Sequence, residues 1–254
     1  MKKLAGFFRS VRAPRDRLRI DLSGRVVYAV GDVHGCLEKL ASLEEKIAAD
    51  GRSFSEPKLI IMLGDYVDRG PDSAGVLSRL AGSPPAGFER ICLAGNHEIA
   101  MLDYFEGRCE LASWLAMGGK ATLASYGIDI SRLKDLGSKQ RGIDAAIRTA
   151  IPREHADFLR SLPVLVEAPR HVFVHAGFRP DIPIEEQDDY TLVTIRREFH
   201  DKAGLLRHTV IHGHTPVRKP QLDGKRLNID TGAYLGRSLT AVRIFRGKGR
   251  FIQS

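Results

Sequence analysis

Short apolar runs, each closed by glycine or a polar residue and followed by a helical pattern, recur along the chain. RVVYAVGD, KLIIMLGD and ERICLAGNHE read as three strands. Between the first two, LEKLASLEEKIAAD sets apolar residues at 37, 40, 43 and 47, the spacing of one helix face. RHVFVHAG, HTVIHGHTP, RLNIDTG and SLTAVRIFR supply the later strands. From about 106 to 162 the periodicity is helical, with no strong strand, and strands resume beyond it. The rhythm predicts an α/β layered fold: two packed mixed β-sheets flanked by helices, forming a single domain over 24–254 with an inserted helical cap over 106–162.

Composition narrows the class. At 254 residues, 43% hydrophobic and 28% charged, the chain has enough apolar material for one large core. No stretch approaches the roughly 18 apolar residues of a membrane span, and the first residues lack the apolar block of a secretory signal, so the expected location is cytoplasmic. Cys36, Cys92 and Cys109 form no CxxC pair and leave an odd count, which points to reduced thiols. The net charge of +8 is concentrated at the start, where residues 1–25 hold eight Lys or Arg against two Asp. Residues 1–23 are expected to be a basic, solvated tail, with contact to nucleic acid or an anionic surface as the lesser alternative.

The chemistry lies at the strand ends. Asp32 and His34 in GDVHG, Asp65 in GDYVDRG, Asn96 and His97 in GNHE, His175 in HAG and His214 in GHTP each follow an apolar run at once. In an α/β sheet such positions converge beyond the carboxyl ends of the strands. Carboxylates, imidazoles and an amide oxygen without thiolate suit divalent ions of intermediate hardness: manganese, iron or zinc. Six such donors, counted without His97, exceed the needs of one catalytic ion and suit two that share a carboxylate. Two ions about 3.5–4 Å apart clamp a phosphoryl group and make hydroxide available near neutral pH, the apparatus of a phosphate-ester hydrolase. Taken singly, each motif has a bland reading: a helix cap for Asp32, a satisfied buried histidine for His97 or His175.

The ordered set GDVHG, GDYVDRG, GNHE, HAG and GHTP resembles the phosphoprotein phosphatase family within the calcineurin-like metallophosphoesterases, over about residues 24–245. It is more similar to the bacterial branch, because LAGNHE lacks an arginine before the glycine, HAG has one glycine after its histidine, and WLAMGGKATLASYG is similar to the bacterial cap segment. The resemblance implies that Asp32 and His34 hold a first ion, that Asp65 bridges, and that Asn96, His175 and His214 hold a second. It implies that His97 protonates the leaving alkoxide with Asp68 as its acidic partner, and that Arg69 binds phosphate through its planar fork of donors. A second phosphate arginine is expected at Arg196, with Arg197 as the alternative and Thr194 standing where the family has tryptophan. His212, which precedes the glycine of its motif, is expected to pack in its strand, and Tyr234 either approaches the site or packs in the core. Cys36 has no Arg-rich phosphate loop after it, which argues against a cysteine phosphatase.

The expected function is phosphomonoester hydrolysis at a binuclear centre: two divalent ions, manganese foremost, and direct attack of a metal-bridging hydroxide on phosphorus. The expected substrate is a phosphoprotein or a phosphorylated small molecule, with serine/threonine phosphatase activity first. A symmetrical diadenosine tetraphosphate hydrolase is the alternative, since such enzymes are similar in the first three motifs, although GHTP favours the phosphatase. A non-catalytic polyanion-binding module acting through the basic leader is an alternative of another class.

Overall fold

The apolar runs become strands because β-branched and aromatic side chains alternate between two buried faces. The computed structural model describes residues 13–135 and 139–254. Its strands are β1 (Arg17–Arg19), β2 (Val26–Val30), β3 (Lys58–Met62), β4 (Phe88–Cys92), β5 (Leu165–Glu167), β6 (His171–Val174), β7 (Thr209–His212), β8 (Gln221–Asp223), β9 (Arg226–Asn228), β10 (Thr240–Phe245) and β11 (Lys248–Gln253). One sheet has the order β11-β10-β2-β3-β4 and the other β1-β5-β6-β7-β9-β8. Pairs β2–β3, β3–β4, β6–β7 and β7–β9 are parallel, whereas β10 runs antiparallel to both its neighbours. The expected pair of mixed sheets is therefore present.

Period-two alternation sorts the side chains into two cores. Val27 and Ala29 of β2 and Leu59 and Ile61 of β3 point at Phe173 and Ile211 of the facing sheet. Val26, Tyr28, Val30, Ile60 and Met62, one residue out of phase, pack under the helices. Truncating a fully buried residue such as Ile61 to Ala costs about 2–5 kcal/mol.

Helices α1 (Leu37–Gly51), α2 (Ser73–Ala81) and α3 (Asn96–Phe105) follow β2, β3 and β4. Leu40, Leu43 and Ile47 of α1 are buried at helical spacing, and Asp72 caps α2 by accepting from Gly75 N–H at 2.7 Å. The stretch expected to be helical holds α4 (Leu111–Trp114), a π-helical turn at Leu115–Gly119, α5 (Lys120–Ser125), α6 (Ile130–Asp135), α7 (Gln140–Ala150) and α8 (Arg153–Ser161). Of these, α5 and α8 pack against α2, and α4 and α8 against α3. Two further short helices are α9 (Asp189–Thr194) and α10 (Arg197–Asp201).

The expected basic tail needs correction. Within 1–23, Arg17–Arg19 form β1, paired in parallel with β5, and Arg15 donates to Leu162 O at 2.7 Å. Three residues are enough for a ladder because the arginines find carbonyls there, among them Glu185 O at 2.9 Å from Arg17. The remainder of that expectation, residues 1–12, lies outside the described residues, with four of the eight Lys or Arg counted in 1–25. Cys36, Cys92 and Cys109 are free thiols. No helix among the described residues is long and apolar enough to cross a membrane.

Candidate metal centre

The turns after β2, β3, β4, β6 and β7 meet at one end of the sandwich. Val33 and His34 both donate to Asp65 O, at 3.0 and 2.8 Å, and His214 N–H reaches Oδ2 of Asp32 at 3.0 Å. Such close approach requires glycine: a Cβ on Gly95 would lie 2.2 Å from Oδ1 of Asp65, and one on Gly213 would lie 1.9 Å from Oδ1 of Asp32. The turns also bend sharply. His34, Asp65, Asp68, Arg69 and His214 have φ of 45°, 53°, 69°, 69° and 67°, left-handed values unusual for residues with side chains.

Asp65 faces two groups of donors at once. Its Oδ1 is 3.4 Å from Nε2 of His175, which is 3.1 Å from Oδ1 of Asn96 and 3.2 Å from Nδ1 of His214. Its Oδ2 is 3.4 Å from Nε2 of His34 and 3.9 Å from Nε2 of His97. Metal–ligand bonds of about 2.0–2.2 Å place neighbouring donors roughly 3–3.5 Å apart, so the first group has the spacing of one coordination sphere and the second is slightly wider. One carboxylate oxygen in each group is the arrangement of a bridge.

Asp32 is buried beside these donors but outside both groups, and its Oδ1 has no hydrogen-bond partner. A buried, unpartnered carboxylate oxygen is costly, and a cation satisfies it. The residues present therefore fit divalent ions.

Burial, then Asp230 and Asp65, push the Asp32 carboxyl well above its usual range. Burial also pushes Asp65 upward, but His175, His97 and His34 outweigh it and hold the carboxyl well below that range. Burial lowers His34 to about 3, and burial together with His175 lowers His214, leaving both imidazoles in the neutral form that binds metals. Burial lowers His175 too, but Asp65 outweighs it and the net shift is upward. This concentration of buried carboxylates is what a cation would neutralise.

His97 is fully buried, with Nδ1 2.8 Å from Oδ2 of Asp68 and Nε2 lacking any partner. Asp68 in turn accepts from Oγ1 of Thr122 at 2.7 Å and from Nε1 of Trp114 at 3.1 Å. Arg69 contacts Nε2 of His34 at 3.1 Å and lies 4.8 Å above the Tyr234 ring, which meets His34 edge-on. Tyr234 thus approaches the site. Arg196 reaches Nε2 of His214 at 3.0 Å, whereas Arg197 is exposed and pairs with Asp201. His212 is buried in β7 against Phe199 and Arg226 and belongs to neither donor group.

Three supporting features were missed. Glu98 accepts from the backbone N–H groups of Asp65, Tyr66 and Gly95 at 2.8, 2.7 and 2.8 Å, tying the β3 turn to the start of α3. Burial and Asp65 push its carboxyl up to about 7. Its place three residues after Gly95 is a helix-capping spacing, which was available in GNHE. Asp230 follows the apolar run of RLNIDTG as Asp32 follows its own, so the strand-end rule reaches it as well. Trp114 and Thr122 lie in the helical stretch, where periodicity gives no sign that they face Asp68.

The sandwich and its strand-end donors define a metal-dependent phosphoesterase. The family model for calcineurin-like phosphoesterase matches residues 25–236, and the chain belongs to that family. A curated relative, the bis(5'-nucleosyl)-tetraphosphatase PrpE [asymmetrical] of Bacillus velezensis, is 26% identical over 234 residues, covering 84% of this chain and 87% of the relative. A solved structure described as a putative diadenosine tetraphosphatase superposes with a TM-score of 0.64 at 20% identity, covering 94% of this chain and 98% of that one. The cold-active protein-tyrosine phosphatase of a psychrophilic Shewanella gives 0.55 at 17% identity, covering 94% and 82%. These two structures share the fold.

Proposed function

We propose that this phosphoesterase hydrolyses phosphate monoesters with alkoxide leaving groups, phosphoserine and phosphothreonine side chains foremost. The observation that carries the reading is the buried His97–Asp68 pair, at 2.8 Å, with Nε2 of His97 free beside Asp65. An alkoxide is strongly basic and needs a proton as it departs. The leaving group of a nucleotide polyphosphate is a stable anion near neutral pH and needs little help. A buried acid held in one orientation therefore serves monoesters best.

Asp32, His34 and Asp65 would hold one divalent ion, and Asp65, Asn96, His175 and His214 the other, with manganese the first choice for these donors and iron or zinc the alternatives. Such ions, when bound, supply Lewis acidity and lower the pKa of water. Arg69 and Arg196 grip the phosphate oxygens through forked donors. His97 gives its Nε2 proton to the ester oxygen as the P–O bond breaks, water supplies the new P–O bond, and Asp68 keeps the ring oriented. The intact donor set weighs against a purely polyanion-binding role.

A second reading rests on the curated relatives. It is hydrolysis of a dinucleoside tetraphosphate in the asymmetrical mode that their name states, which replaces the symmetrical mode expected from the sequence. Steady-state kinetics with manganese on a phosphoserine peptide and on diadenosine tetraphosphate separates the two. The first reading expects the higher kcat/KM on the peptide. A large preference for the dinucleotide, with ATP and AMP as products, would install the second.

A further inference from the structure

The Asp68 carboxylate is held from the helical stretch as well as by His97. Oδ1 accepts from Thr122 Oγ1 at 2.7 Å, and Trp114 Nε1 lies 3.1 and 3.2 Å from the two oxygens. Thr122 also accepts from Asp68 N–H at 2.8 Å, and the hydroxyls of Thr122 and Ser73 are 3.0 Å apart. With one hydroxyl proton to give, Thr122 donates to Asp68 and accepts from Ser73. Asp68 and Thr122 are fully buried, so water cannot substitute for these partners.

Trp114 is itself tightly packed. It is fully buried, stacks on Tyr104 with centroids 5.5 Å apart, and meets Phe105 edge-on at 6.0 Å. A Cβ on Gly119 would lie 2.8 Å from its ring. The same turn reaches the next residue of the motif: Gly118 O accepts from Arg69 N–H at 3.3 Å.

We propose that Thr122 and Trp114 are positioning residues for the leaving-group proton. They fix the Asp68 carboxylate so that it engages Nδ1 of His97 and leaves Nε2 as the nitrogen that faces the substrate. Outer partners of this kind set the orientation and tautomer of an imidazole. The helical stretch thereby completes the proton-donating apparatus in addition to covering α2 and α3. The inference rests on the monoesterase reading.

The test compares wild type, Thr122→Val, Thr122→Ser and Trp114→Phe on phenyl phosphate, whose leaving group is basic, and on 2,4-dinitrophenyl phosphate, whose leaving group is not. Thr122→Val keeps the shape and removes the hydroxyl, while Trp114→Phe keeps a ring against Tyr104 and removes the N–H. Both are expected to lose about 10- to 100-fold in kcat on phenyl phosphate and less than about 3-fold on the dinitrophenyl ester, with unchanged metal content. Thr122→Ser is expected to restore the phenyl phosphate rate. Equal losses on both esters, or a serine variant no better than valine, would overturn the proposal.

Proton NMR of the metal-free protein supplies a readout independent of turnover. The His97 Nδ1–H resonance, assigned by its absence in His97→Ala, is expected to broaden or vanish in Thr122→Val and to return in Thr122→Ser. An unchanged resonance in the valine variant would sink the idea. Should the wild type hydrolyse no monoester, the function proposed above fails by itself, and this resonance still decides the positioning role.

Discussion

Arg196 donates its Nε–H to Nε2 of His214 at 3.0 Å, although its chain neighbour Arg197 turns to solvent. The backbone explains the divergence: Arg196 sits at φ −135°, outside the helix that begins with Arg197. Arg196→Ala is expected to raise KM for a phosphomonoester by about 10-fold or more, the scale of a hydrogen bond to a charged group. Arg197→Ala should stay within about twofold, because an exposed i,i+4 pair contributes little. Kinetics on both variants checks the assignment, and the reverse ranking would exchange their roles.

On the proposed sharing of Asp65 between two ions, the ions are expected to stabilise the fold. Manganese at about 100 times its Kd should add about 2.7 kcal/mol, a rise in Tm of roughly 5–10 °C for a chain of this length. Elemental analysis should find about two ions per chain. Asp65→Asn should lose most of the bound metal and most of the rise in Tm. A wild-type protein fully active after exhaustive chelation would contradict the metal assignment.

His97→Ala should keep its metal and lose about 100-fold or more in turnover of phenyl phosphate, the scale of a missing general acid. Asp68→Asn should fall in the same direction. Loss of metal from His97→Ala would instead identify His97 as a ligand, a role its 3.9 Å approach to Asp65 also suits.

His155 provides a pH-dependence remote from the metals. Its Nδ1 is 2.6 Å from the Tyr126 hydroxyl and its Nε2 3.1 Å from Oγ of Ser78, and burial lowers its pKa against a weaker upward pull from Glu154. The unfolded chain takes up this proton near about pH 6.5 and the folded chain only at lower pH. Between those limits the unfolded state binds more protons, so stability falls as pH falls. Melting curves of the metal-free protein from about pH 7.5 to about pH 5 should show a smaller decline for His155→Gln than for wild type. Parallel declines would place the acid sensitivity elsewhere.

The sequence made the core strands and their polar ends legible because both depend on local pattern. Val26–Val30 and residues 59–62 of β3 are continuous apolar runs, and the residues that close them face a common centre in any parallel arrangement. The edge strands β1 and β8 of the other sheet were not legible. Gln221–Asp223 is wholly exposed and Arg17–Arg19 half-exposed, so neither carries an apolar signal, and pairing partners alone define them. The same limit applies around His97: its tie to Asp68 was expected, whereas the grip of Trp114 depends on how a helix 46 residues further on packs.

The left-handed backbone at His34, Asp65, Asp68, Arg69 and His214 raises the energy of the native chain by about 1–2 kcal/mol at each position. Such strained turns persist because the buried hydrogen bonds around them and the sandwich beneath hold them in place. A variant softened only at Ile61 should go silent at temperatures where its circular dichroism still reports an intact fold.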